Sequence, residues 1–293
     1  MTDTGSTLPR RQLGRYLREA RTELNMSLEQ MAGMTDLSSS VLQRLEKGEA
    51  TRLKVRDIEA ICGVLEMSDQ MTSAMVGLLR LGAEKSWWHE YSNLIHATFD
   101  VYVGLETAAR KLTMYQPSLV PGLLQTADYA RELIQKANVE ETRAEHDRRA
   151  ELRTKRQTIV TRRYQPLMLE VVLHESALRT MVGGPDVLDG QLRHLAEVGK
   201  LPNVSIRVLP FSAAAPVGHP VGQFALLEFG ADGKGRPIEP PIVYLETFTA
   251  CMYLERPEDV QRYYRVHDSL RQASLDETAS RSLLRQVLKE LSA

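Results

Sequence analysis

A chain of 293 residues, 43% of them apolar and 26% charged, is too long for one small module and has the core-forming material for two domains. Its net charge is −1, and its two cysteines, Cys62 and Cys251, lie far apart and outside any CxxC pattern; this argues against a disulfide framework or a zinc ribbon and predicts buried free thiols. No apolar run is long enough to span a bilayer, and MTDTGSTLPRRQ lacks the apolar stretch of a signal peptide, so the expectation is a cytoplasmic protein with no membrane partner.

The first informative stretch in chain order is Ser27 to Gly48, SLEQMAGMTDLSSSVLQRLEKG, which reads as two short helices joined by a tight turn. Ser27 is placed to cap the first helix, with Glu29 in its first turn, where an acidic group suits the positive helix end. Leu28, Met31 and Ala32 share one face at helical spacing, and the small Ala32 lets the second helix cross closely. Asp36, in the turn, stands where a positive φ is often needed; glycine is the easier choice, and Asp tolerates it. Leu37 is predicted to plug the space between the helices. Ser38 caps a second helix, Ser38 to Glu46, in which Val41, Leu42 and Leu45 point inward. That leaves Ser39, Ser40, Gln43 and Arg44 on the outer face, with the hydroxyl, amide and guanidinium groups that reach base edges and phosphates in a major groove. Gly48 is the stop signal.

Charge agrees with this reading. From Arg10 to Arg56 there are ten basic residues against six acidic ones, a net charge of +4 inside a chain of net −1. A small helical bundle with a solvated basic face would show the same charge; the capped pair, the small residue and the turn spacing favour DNA.

Residues Gln12 to Met67 resemble the Xre or phage-repressor type of helix-turn-helix domain, with LGRYLREARTELNMSLEQMAGMTDLSSSVLQRLEKGEA covering its first helix through its recognition helix. The resemblance implies double-stranded DNA as the partner. It assigns base reading to Ser38, Ser39 and Ser40, with Gln43 and Arg44 one turn later, and phosphate contacts to Ser27, Arg52 and Lys54. The sequence departs from the commonest pattern at Asp36 and in its three serines, whose short reach leaves readout through water or DNA shape open.

Further helices are predicted at Val55 to Leu65 and near Ser68 to Leu81. Gly82 to Trp88 reads as a boundary, giving a domain at 10–82 and another at 87–293. Trp87 and Trp88 suit packing at the junction or a ligand platform. Beyond it, helices are predicted at Val103 to Met114, Thr126 to Ala137, Glu140 to Val160, Pro185 to Val198, Pro257 to Gln272 and Asp276 to Leu291. Strands are predicted at Leu167 to Leu173, Val204 to Leu209, Gln223 to Phe229 and Ile242 to Glu246, the last three forming the sheet centre. The expected fold is thus a mainly α helix-turn-helix domain followed by an α+β domain with a small β-sheet. Two loops rich in turn formers, Phe211 to Gly222 and Gly230 to Pro241, are long enough to suggest binding surfaces.

The stretches YQPSLVPGLLQTADYAREL, LHESALRTMVGG, LPNVSIRVLPF, GQFALLEF and PIVYLE resemble the C-terminal domain that follows the Xre-type module in actinobacterial regulators described as antitoxin-like. That resemblance covers nearly everything from Trp87. It implies a transcriptional regulator, with a small protein encoded nearby or a small-molecule effector as a candidate partner.

Within this half, Thr126 can cap a helix with Asp128 in its first turn, so the exposed amides could hold an anion, although a rigid interhelical turn is the simpler account. Arg148, Arg149, Arg153, Lys155, Arg156, Arg162 and Arg163 form a basic run that suits a solvated helix face paired with acids, or an added contact to DNA backbone. His219, in a loop between Gly218 and Pro220, is the best histidine for a ligand contact, with a structural role as the alternative. There is no HExxH, no metal-ligand spacing, no GxSxG and no Walker loop, so no catalytic residue, metal or cofactor is assigned and the chain is not read as an enzyme.

Two functions remain: a sequence-specific regulator whose C-terminal domain dimerises and binds a small protein or small molecule, and an antitoxin-like protein that neutralises a partner and uses DNA for autoregulation. One such module reads few base pairs, so a homodimer on a pseudo-palindromic operator is expected. The helices from Pro257 to Leu291, with Leu270, Leu283, Leu284, Leu288 and Leu291 at helical spacing, would dimerise or simply cap the sheet.

Overall fold

A computed structural model of the chain describes residues 7–48, 53–83, 97–213, 216–230, 240–248 and 250–291. The chain divides into two compact units, Met1–Leu105 and Glu106–Ala293.

The first unit is helical. Helices α1 (Thr7–Glu23), α2 (Leu28–Met34), α3 (Ser39–Glu46), α4 (Val55–Val64) and α5 (Asp69–Ala83) surround one core, and α6 (Ala97–Ala108) leads across the division between the units. The core is built from Leu13, Leu17, Met31, Leu42, Leu45, Ile58, Ile61, Cys62 and Met75, and the predicted plug, Leu37, packs against it. Each short helix contributes one or two apolar residues per turn, so none is stable alone and packing holds the set together. At the crossing of α1 with the end of α3, a Cβ on Gly14 would stand 2.3 Å from the Leu45 carbonyl oxygen. A glycine inside a helix costs about 1 kcal/mol against alanine; here its missing side chain is what lets two backbones touch. The end of α1 turns through Asn25 at φ 52°, with the Met26 N–H closing onto the Arg21 carbonyl at 3.0 Å.

The second unit is a six-stranded mixed sheet with helices around it. Its strands are β1 (Lys111–Gln116), β2 (Met168–His174), β3 (Val204–Leu209), β4 (Phe224–Glu228), β5 (Ile242–Glu246) and β6 (Cys251–Leu254), in the order β3-β2-β1-β4-β5-β6. β1, β2 and β3 run parallel; β4, β5 and β6 are antiparallel hairpin partners. Parallel pairing requires crossovers. A single 3-10 turn (Gly122–Leu124) with α7 (Ala127–Ala137) and α8 (Arg143–Thr161) joins β1 to β2, and α9 (Glu175–Arg179) with α10 (Pro185–Val198) joins β2 to β3. Helices α11 (Pro257–Ala273) and α12 (Glu277–Leu291) end the chain, with α11 packed on β3, β4 and β5.

Register assigns the two faces. Tyr115, Val172, Leu209, Phe224, Leu226 and Val243 share the face covered by Val260 and Leu270 of α11. The outer edge of β3 is closed by the α11–α12 turn, where the Leu275 N–H donates to the Val208 carbonyl and the buried Ser280 hydroxyl accepts the Val208 N–H, both at 2.9 Å. A capped edge cannot template further strands.

The α+β expectation holds, and most predicted elements stand within a few residues of the observed ones. Three expectations change. Val103 to Met114 is not one helix: α6 ends at Ala108 and Lys111–Gln116 is β1. As a central strand β1 is buried on both faces, so it lacks the polar-apolar alternation of a half-exposed strand. The sheet centre is β1 with β4, whereas Val204 to Leu209 is an edge, because β1 pairs with both β2 and β4. Cys251 is half-buried on the edge strand β6, while Cys62 is fully buried as expected.

Candidate nucleic-acid interface

The second and third helices are capped as their residue types dictate. The Ser27 hydroxyl accepts the Gln30 N–H at 3.1 Å while the Gln30 side chain accepts the Ser27 N–H at 2.7 Å, a reciprocal capping box. The Ser38 hydroxyl caps α3 by accepting from the Val41 N–H at 3.4 Å, and it pairs with the Ser40 hydroxyl at 3.0 Å. The turn between them corrects one expectation. Asp36 does not adopt a positive φ; the chain leaves α2 through an extended Thr35 (φ −128°, ψ 160°), so no left-handed residue is needed and Asp stands there without strain. Gly48 does take the positive φ that ends α3 (74°).

Helix α3 is therefore two-sided. Leu42 and Leu45 are in the core and Val41 is half-buried, whereas Ser38, Ser40, Gln43 and Arg44 are exposed and Ser39 is partly so. The residues predicted to read bases thus present hydroxyl, amide and guanidinium groups over about two turns of helix. Of the predicted phosphate contacts, Ser27 and Lys54 are exposed at the starts of α2 and α4, and Asp57 accepts the Lys54 N–H at 2.8 Å. Arg52 lies outside the described residues.

One basic residue counted in the +4 segment belongs to the scaffold. Arg21 donates through Nε to Glu46 Oε1 at 2.6 Å and through Nη2 to Glu46 Oε2 at 2.9 Å, while Nη1 donates to the Met26 carbonyl at 2.6 Å. The Glu46 hydrogen bond raises the guanidinium pKa against the lowering effect of its burial. This three-way clamp joins the end of α1, the residue before the α2 cap, and the end of α3. In the sequence both residues enter only in the charge count of the segment; the one signal of their pairing is a glutamate following the core residue Leu45, too weak to use alone.

In the second unit, Thr126 caps α7 by accepting the Tyr129 N–H at 3.3 Å, and its own N–H donates to Gln191 Oε1 at 2.7 Å. Gln191 also donates to the Leu124 carbonyl, and Gln157 to the carbonyls of Gly122 and Gln125. These bonds make the segment a rigid turn. The basic run divides: Lys155 pairs with Glu151 and Arg149 with Glu141, as a face paired with acids should, and Arg163 is exposed, whereas Arg156 forms a buried bidentate pair with Glu106 at 2.7 and 2.8 Å. Arg153 donates to Gln125 Oε1 at 2.6 Å, and burial beside Arg156 pushes its pKa down to about 10. His219 is exposed in the loop after β3, on the rim of a cavity that also holds His174. Trp87 and Trp88 lie outside the described residues. Leu270 and Leu284 of the proposed dimer helices are buried in their own domain, and Leu283, Leu288 and Leu291 are half-buried. Among the described residues, no group of three or more His, Cys, Asp or Glu could hold a metal ion, and no helix is long and apolar enough to cross a membrane.

The capped pair of helices with an exposed polar third helix defines a helix-turn-helix protein, and a family model described as a helix-turn-helix domain matches residues 12–75. Residues 99–286 match the family described as a domain of unknown function (DUF5753), and the chain belongs to that family. No curated protein and no solved structure matches the chain. The helix-turn-helix match supports a DNA-binding regulator.

Proposed function

We propose that the chain is an Xre-type transcriptional regulator that acts in the cytoplasm as a homodimer on a pseudo-palindromic operator. Its C-terminal unit is the seat of a small partner protein or a small-molecule effector, and it performs no catalysis. The observation that carries this reading is the two-sided α3, whose core face is locked by Leu42, Leu45 and Glu46 while Ser38, Ser40, Gln43 and Arg44 are left exposed. Base edges in a major groove ask for those donor and acceptor groups.

The Ser38–Ser40 hydroxyl pair shortens the reach of two readers, which supports a share of readout through water or DNA shape. A dimer supplies the second half-site that such a short reading surface needs. An effector then acts by binding two arrangements of the reading heads with different affinity.

The test is selection of genomic fragments by the purified full chain, followed by sequencing. Enrichment of a recurrent two-fold site supports the reading, and loss of that enrichment in Arg44→Ala assigns it to α3. No enrichment even at low salt overturns it. A small protein that co-purifies and abolishes DNA binding would instead favour the antitoxin-like function.

A further inference from the structure

The three parallel strands end side by side beneath a single loop. Tyr115 of β1, His174 of β2 and Leu209 of β3 lie on one face, since Tyr115 is opposite Val172, two residues before His174, and His174 is opposite Leu209. The segment after β3 has to travel past β2 and β1 to start β4 beside Tyr115. Between strand ends, loop and Leu270 of α11 is a cavity of about 280 Å3, with Val217 and His219 on the loop side. The crevice outside the carboxyl ends of parallel strands is where open α/β sheets bind ligands. Ligand pockets begin near ~300 Å3, so the space suits a molecule built on a single ring.

Two polar groups in this cavity have no hydrogen-bond partner among the described residues. The Ser176 hydroxyl donates its one proton to the Pro117 carbonyl. It also lies 2.7 Å from His174 Nδ1, the nitrogen that caps α9 by accepting the Ser176 N–H at 3.3 Å. These contacts occupy Nδ1 and leave Nε2 with no hydrogen-bond partner among the described residues. The ring is held edge-on by Phe211, centroids 5.3 Å apart. The Tyr115 ring is 6% exposed and packs against Phe224, and its hydroxyl has no hydrogen-bond partner among the described residues.

Charge decides the class of ligand. Among the described residues no Lys, Arg, Asp or Glu lines the cavity. Glu175, next to His174, is occupied elsewhere, accepting the Phe211 N–H at 2.9 Å and the Arg179 guanidinium at 2.8 Å. A ligand carrying a full charge would lose water there without gaining a carboxylate, ammonium or guanidinium partner among the described residues.

We propose that this cavity binds an uncharged, mainly apolar small molecule whose hydroxyl or amide pairs with His174 Nε2, with Tyr115 meeting a second polar atom. The inference deepens the regulator reading and rests on it only in making that molecule an effector.

The probe is phenol, an uncharged ring with one donor, titrated into the full chain while the imidazole nitrogens of His174 are followed by NMR. The expected result is a saturable shift of Nε2, with benzoate and toluene, one charged and one lacking a donor, binding about tenfold or more weakly, the worth of about one hydrogen bond or more. Tyr115→Phe keeps the buried ring and is expected to weaken binding; Val217→Trp fills the cavity from the loop without disturbing the sheet and is expected to abolish it. No saturable shift at His174, or benzoate binding as well as phenol, overturns the proposal. Fragment enrichment measured on the same protein separates the two readings: a phenol response without enrichment leaves the cavity standing and removes the regulator, and the reverse does the opposite.

Discussion

Arg21 and Glu46, twenty-five positions apart, meet fork to fork at 2.6 and 2.9 Å, and this pair fixes where the end of α3 lies against α1. Both side chains are largely shielded, at 15% and 6% exposure, so the pair is a scaffold contact and not a surface ornament. Breaking it leaves one shielded charge without its partner. Arg21→Met or Glu46→Gln alone is expected to destabilise the first unit by roughly 3 kcal/mol. The double variant Arg21→Met with Glu46→Leu is expected to recover most of that loss, because two apolar groups need no solvation. Urea unfolding followed at helical wavelengths would show it; a double variant no better than either single one would mean that the geometry, and not the unpaired charge, sets the cost.

Gly14 sets two local effects in opposition. Alanine is the better helix former by about 1 kcal/mol, yet a Cβ would sit 2.3 Å from the Leu45 carbonyl oxygen and 2.8 Å from the Glu46 carbonyl carbon. Both atoms are backbone, which cannot swing aside as a side chain end would. Overpacking of this kind costs about 1–3 kcal/mol, and the sterics are expected to win. Gly14→Ala should lower the melting temperature of the first unit and weaken DNA binding by shifting α3. A raised melting temperature would show that the helices separate at little cost.

The proposed DNA contacts separate by salt and by sequence. Lys54→Ala and Arg52→Ala are expected to weaken binding to every fragment alike and to reduce the slope of log affinity against log salt by about one each. Arg44→Ala and Ser40→Ala are expected to change which fragments are preferred, at about 1–3 kcal/mol for a lost base contact. Titrations on two unrelated fragments at several salt concentrations would decide; a change in preference from Lys54→Ala would reverse the docking.

Local chemistry carried most of what the sequence could say. Ser27, Ser38 and Thr126 are caps because a serine or threonine hydroxyl satisfies amides within its own turn, and that choice needs no knowledge of the rest of the fold. What escaped depends on distant partners. Arg21 and Arg156 read as surface charges until the chain brings Glu46 and Glu106 to them. The strand β1 was hidden because burial on both faces removes its alternation, and β6 because it has only four residues. Gly14 carries a visible mark of a long-range contact that the sequence reading left unused, since an isolated glycine within a helical pattern signals close approach. His174 gave no such mark, its role depending on Ser176, Pro117 and a loop beginning at Pro210.

The second unit should lose stability as acid is added, beginning near neutrality. His267 of α11 is 5% exposed, and burial holds its pKa below the ordinary 6.5; Lys111 and Arg271 push the same way, while Glu170 and Asp268 oppose them. His194 is lowered too, by burial. As pH falls below 6.5 the unfolded chain takes up these protons first, so unfolding gains protons and is favoured. Stability is therefore complete above that value and declines as pH drops toward the lowered folded pKa. The carboxylates held down by arginines, Glu141 by Arg149 and Glu290 by Arg179, titrate below the ordinary 4.5 and lie outside this window. Urea midpoints of the second unit are expected to fall between about pH 7.5 and about pH 5.5, with a shallower fall in His267→Gln, which keeps a polar side chain of similar size but cannot take up a proton. Equal slopes for wild type and variant would place the proton uptake elsewhere.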